Sequence, residues 1–222
     1  MTPDPPSPER RPRAGRPARP READARDDIQ EAYLKRAISE IGRLNDEIST
    51  CELCHPTDTL PVMGSGSPQA EIMMVKWTAS AAEREEGVAF FGRSGTAVLK
   101  SMHRLGIDPL ALYGTLCVKC GHQGAEQAAR DCPPWLVREL AIVMPKLLVV
   151  MGEPALEAVN ALGLPLSEPI RPEPGVIQRW TPATEALFVP DIDQSLDEQG
   201  AKRRFWEAFR VLGQWWEAQP PY

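Results

Sequence analysis

Apolar positions in this chain switch period several times. Leu34, Ile38, Ile41, Leu44 and Ile48 recur three or four apart, which predicts an amphipathic helix from the Asp27-Asp28 cap to about Ser49. Ile72 to Val75 is a short apolar run ending on Lys76-Trp77, with the length and bounds of a buried strand over 71–76. Helical spacing returns over 96–105 and stops at Gly106. Residues 112–119 read as strand, 135–144 as helix and 147–151 as a buried strand, and the helix over 153–162 is closed by Gly163 and Pro165. Two short strands follow near 176–180 and 186–189. A last helix, over about 201–217, carries Phe205, Phe209, Leu212 and Trp216 on one face.

Strands alternating with helices predict a three-layer α/β/α fold with a central, mostly parallel sheet. There is no internal repeat. At 222 residues and 42% hydrophobic composition, one globular domain over residues 28–218 is expected. Residues 1–27, rich in Pro and Arg and nearly devoid of apolar side chains, are expected to form a disordered tail. A membrane span needs roughly 18 consecutive apolar residues, and Pro145-Lys146 interrupts the richest run. The tail has no apolar segment of a secretory signal and too many acids for a transit peptide, so a cytoplasmic monomer is expected. Net charge −6 argues against a strong phosphate-binding surface. Any contact with nucleic acid is expected to be weak and non-specific, through the Arg-rich tail and Lys202-Arg203-Arg204.

The chain has five cysteines: Cys51, Cys54, Cys117, Cys120 and Cys132. C-x2-C at 51–54 with further cysteines far downstream suggests metal ligation more than disulfides. Two quartets are open. Cys51, Cys54, Cys117 and Cys120 pair two C-x2-C units, a zinc-like spacing that is slightly favoured on spacing alone. Cys51, Cys54, Cys120 and Cys132 would instead suit an iron-sulfur cluster, leaving Cys117 as a small core side chain within an apolar strand. His55 and His122 read as surface loop residues and His103 as the exposed face of a helix. None of them pairs with a nucleophile, and no Ser-His-Asp set presents itself.

Several stretches together resemble the iron-sulfur branch, family 4, of the uracil-DNA glycosylases. They are Cys51-x2-Cys54; Gly64-Ser-Gly-Ser-Pro68 with the strand at 70–75; Phe90-Phe91-Gly92-x2-Gly95; Tyr113 with Val118-Lys119-Cys120; Cys132; and Pro145 to Gly152. The resemblance implies that Cys51, Cys54, Cys120 and Cys132 ligate a 4Fe-4S cluster. The segment between Cys120 and Cys132 looks a few residues shorter than the family pattern. Phe90 matches the phenylalanine on which the family stacks its base.

The positions that carry the family's chemistry differ. Its Gly-Glu-x-Pro-Gly motif falls on Lys76-Trp77-Thr78-Ala79-Ser80, so Trp77 stands where the carboxylate belongs. The base-reading Asn falls on Leu116, and the His-containing loop on Pro190-Asp191-Ile192-Asp193. An indole cannot polarise a proton as a carboxylate does, and a carboxylate at Asp191 would repel an anionic base. The expectation is a family 4-like protein that does not excise uracil, with Trp77 filling the vacant base pocket. It would act by binding nucleic acid or a repair or replication protein. Two alternatives are an active glycosylase with chemistry relocated to Glu83, Glu85, Glu86, Asp191 or Asp193, and a protein whose cluster is purely structural.

Overall fold

The computed structural model describes residues 22–52, 60–120 and 132–220. The chain divides at Tyr33/Leu34. In the first unit the described part is the start of helix α1 (Glu22–Ser49), on which Ile29 and Tyr33 are exposed. The expected tail lies mostly outside the described residues, and α1 begins at Glu22, ahead of the Asp27-Asp28 cap read from the sequence. All that follows concerns the unit from Leu34 onward.

Its centre is a sheet of six strands among the described residues, in the order β1-β3-β2-β4-β6-β5. The strands are β1 (Ser65–Gly66), β2 (Ile72–Lys76), β3 (Leu112–Leu116), β4 (Leu147–Met151), β5 (Ile177–Arg179) and β6 (Glu185–Val189). The inner four, β3-β2-β4-β6, are parallel, and β1 and β5 close the edges antiparallel. Strands β2 and β4 are buried along their whole length, which is why both read as continuous apolar runs and not as alternations.

Side chains alternate between the two faces of a strand, and two core layers follow. Met73, Val75, Leu148, Val150, Ala186 and Phe188 pack with α4 (Pro133–Val143) and α5 (Glu153–Ala161) through Leu136, Leu140, Leu156 and Val159. On the other face Ile72, Met74, Leu147, Val149, Leu187 and Val189 meet α3 (Arg93–Arg104), α7 (Gln199–Phe209) and α8 (Val211–Glu217). This is the expected three-layer arrangement.

Two boundaries differ from the sequence reading. The strand expected over 112–119 leaves the ladder at Leu116, because its partner β2 ends at Lys76. Single hydrogen bonds from Cys117 N to Lys76 O and from Val118 N to Trp77 O carry the chain a little further. The single C-terminal helix breaks at Arg210, where Gly213 N bonds back to Arg210 O instead of four residues back. A Cβ on Gly213 would lie 3.0 Å from the tip of the Leu105 side chain, so α8 packs closely on the residue that follows α3. Two short helices, α2 (Ala81–Glu86) and α6 (Ile192–Ser195), were not expected.

Candidate functional site

From β2 the chain moves to β3 on one side and then crosses back to β4 on the other. A reversal of this kind opens a crevice at the carboxyl ends of the strands, the usual ligand position in open α/β sheets. Lys76 and Trp77 stand at that end of β2, Gly152 at that of β4, and Asp191 and Asp193 just beyond β6.

Strand parity separates the first two. Trp77 continues the face of Met73 and Val75, and its half-buried indole packs against that core layer and against Val118 and Cys132. Lys76 continues the face of Ile72 and Met74, the side on which Phe90 packs. Trp77 therefore does not fill the space beside Phe90, contrary to the expectation from sequence. Lys76 holds it.

The Lys76 side chain is only 1% exposed. Its Nζ donates to Glu83 Oε2 at 2.6 Å and to Asp193 Oδ2 at 2.5 Å, and lies 5.5 Å from the centroid of the Phe90 ring. Glu83 is fully buried at N3 of α2. Its Oε2 also accepts from Ser80 N at 2.7 Å, completing a reciprocal capping box with the Ser80 hydroxyl, and its Oε1 accepts from Phe90 N at 2.5 Å. One carboxylate thus closes a helix start, neutralises a buried ammonium and pins the Phe90 loop. Phe90 itself has φ of +58°, its carbonyl lies against Gly95, and its ring lies so close to Gly114 that a Cβ there would be 2.6 Å away.

Asp193 differs from Glu83 in access, with 36% of its side chain exposed. Burial pushes its carboxyl above the usual value against the pull of the Lys76 ammonium, with the Glu83 and Asp191 charges adding to the rise. Asp191 caps α6, accepting from Gln194 N at 2.9 Å, and packs on Gly152, where a Cβ would meet it at 3.0 Å. Leu116 is fully buried among Val62, Ala79 and Ala89, against Phe90. Glu85 and Glu86 are exposed on α2. The structure thus gathers Phe90, Leu116, Glu83, Asp191 and Asp193 about one crevice and leaves Trp77, Glu85 and Glu86 out of it. Lys76 is the member that sequence reasoning missed. The signals were a lysine closing an otherwise apolar strand and Ser80-x-x-Glu83, a legible capping box.

Of the cysteines, Cys51 is half-buried just past the end of α1, Cys120 is buried in the loop after β3, and Cys132 is buried at the N-cap of α4. Cys54, His55 and His122 lie outside the described residues. Among the described residues no three His, Cys, Asp or Glu side chains converge on one point. The donor set of Cys51, Cys120 and Cys132, with Cys54 as the fourth, has the soft thiolate chemistry that an iron-sulfur cluster requires. Cys117 sits in the core beside Tyr113 and Leu136, and burial pushes its thiol up to about 12, an environment that disfavours the thiolate a metal needs. Among the described residues no helix is long and apolar enough to cross a membrane.

Comparison with known proteins agrees with this architecture. A type-4 uracil-DNA glycosylase of Sulfurisphaera tokodaii is 31% identical over 52% of this chain and 56% of its own length. One from Pyrobaculum aerophilum is 26% identical over 51% of this chain and 61% of its own. One from Archaeoglobus fulgidus is 24% identical over 76% of this chain and 89% of its own. The chain thus spans little more than half the length of the first two relatives. The sequence profile of the uracil DNA glycosylase superfamily matches residues 63–209, which hold every strand of the sheet and the whole crevice, and the chain belongs to that superfamily.

Proposed function

We propose that this protein is a family 4-like iron-sulfur member of the superfamily that binds DNA without excising uracil. The supporting observation is the Lys76 ammonium held against the Phe90 ring by Glu83 and Asp193. A base flipped out of the stack needs an aromatic face on which to lie and polar groups that read its edge. Here one face of that aromatic is taken by a paired ammonium. The wall beside it is Leu116, which offers neither donor nor acceptor. Glu83 is fully buried and commits its oxygens to Ser80 N, Phe90 N and Lys76, so it is not placed to position water from solvent.

Cys51, Cys54, Cys120 and Cys132 would hold the cluster, which bound there supplies a cross-link between distant parts of the chain and an electron-transfer capacity. DNA contacts would come from exposed basic side chains on α3 and α7. The test is release of free uracil from single- and double-stranded uracil-containing DNA, run beside a binding titration on the same strands. Each missing charge-stabilising donor typically costs about 100- to 1000-fold in rate, so no release is expected. Asp193 is the one carboxylate of the Lys76 group with solvent access, and this favours a second reading, relocated catalysis. Uracil turnover abolished by Asp193→Asn would overturn the proposal and establish that reading.

A further inference from the structure

A second ion pair is buried on the opposite face of the sheet from Lys76, and the crevice does not use it. Lys119 Nζ donates to Glu139 Oε2 at 2.5 Å, with the side chains 1% and 0% exposed. Neutral hydroxyls share the pair. Lys119 Nζ also touches the Thr115 hydroxyl, which donates to Glu139 Oε2 at 2.8 Å, and Tyr113 Oη donates to Glu139 Oε1 at 3.1 Å. The backbone of Gly64 closes over the top, since a Cβ there would stand 2.2 Å from Tyr113 Oη and 2.9 Å from Glu139 Oε1.

Taking two charges out of water costs so much that hydrophobic replacements of equal volume are often neutral or better, so stability alone is a poor reason for such a pair. Its position suggests another reason. Lys119 immediately precedes Cys120, and Glu139 lies on α4, whose N-cap is Cys132. Residues 121–131 separate the two cysteines in sequence, so the ion pair is a clamp joining the loop after β3 that carries one thiol to the helix that carries the other.

We propose that Lys119 and Glu139 are positioning residues for the cysteine site, holding Cys120 and Cys132 at ligating separation whether or not metal is bound. This rests on the reading of those cysteines as ligands. The experiment compares wild type with Lys119→Met/Glu139→Leu, which removes both charges and leaves neither partner stranded. Three quantities are measured: thermal unfolding of the metal-free protein, affinity of the metal-free protein for Cd2+ followed by thiolate charge-transfer absorption, and the rate of iron loss to a chelator after anaerobic reconstitution.

Outer-shell partners typically contribute about 10- to 100-fold in metal affinity. The double variant should bind Cd2+ at least about 10-fold more weakly and lose iron correspondingly faster, while the metal-free form unfolds within a few degrees of wild type. Equal Cd2+ affinity in the two proteins would overturn the clamp. If the double variant does not fold, Thr115→Val is used, because it removes the hydroxyl shared by both ions without uncovering a charge. It should weaken Cd2+ binding in the same direction, and unchanged affinity would again overturn the clamp. Wild type that takes up stoichiometric zinc and no iron would sink the cluster reading alone, since the Cd2+ comparison judges the clamp independently.

Discussion

Lys76 shows how one side chain sets the stakes of a whole site. Removing a single partner from a buried pair leaves an uncompensated charge, which costs about 3–5 kcal/mol. Lys76→Met strands the fully buried Glu83 carboxylate, so a loss of that order is expected in chemical denaturation at pH 7. Asp193→Asn should cost far less, since that carboxylate is a third exposed and an amide can still accept from Lys76. Its effect has a pH signature. Because the folded-state pKa is raised from 3.8, the native protein holds the Asp193 proton more tightly than the unfolded chain does. Stability from this group is complete below 3.8 and is lost as pH rises through the folded value. The asparagine variant, which mimics the protonated form, should therefore gain in Tm relative to wild type as pH is raised from about 3 to 6. A difference that does not change over that range would contradict the burial assigned to Asp193. Gly114→Ala probes the other side of the site. The added methyl would meet Phe90 Cδ2 at 2.6 Å, and overpacking of this kind costs about 1–3 kcal/mol.

At the scale of elements, α2 is too short to stand by its own propensity. The Ser80–Glu83 box fixes its start, and Gly87 at φ of +77° ends it. Ser80→Ala should lose about 1 kcal/mol in denaturant unfolding, and should not disturb Lys76, whose contact with Glu83 needs no serine. Strands β2, β4 and β6 were legible because strands inside a parallel sheet must be apolar on both faces. The end of β3 was not, because its own residues stay apolar to Val118 and only the length of β2 decides where pairing stops. The break at Arg210 was hidden for a similar reason, as the apolar stripe of Phe205, Phe209, Leu212 and Trp216 continues across it. At the site, Phe90, Leu116 and Asp191 are found together. Trp77 was misplaced by a single step of parity, the step that exchanges the two faces of a strand. The pairing of Lys76 with Asp193 joins residues from opposite ends of the domain, a tertiary contact that no local pattern announces.

For the molecule as a whole, charge governs how it would meet DNA. The chain carries −6 overall, so attraction to phosphates must come from a local surface. Lys202, Arg203 and Arg204 are exposed on α7, and across a shallow groove on α3 Arg104 lies over the Trp206 ring at 4.9 Å. This ridge lies on the same face of the sheet as Phe90. Each phosphate neutralised on duplex DNA contributes about −0.9 to the slope of log K against log salt. Changing Lys202, Arg203 and Arg204 together to alanine should flatten that slope by up to about 3 and weaken binding equally on strands with and without uracil. A paired ammonium beside Phe90 gives no reason for the protein to prefer either strand. The measurement is a salt titration of wild-type and triple-alanine protein on matched oligonucleotides. An unchanged slope would move the DNA contact away from α7. A preference for the uracil strand that survived the triple substitution would mean that Lys76 yields its place to a base, and the crevice would then be a base-reading site after all.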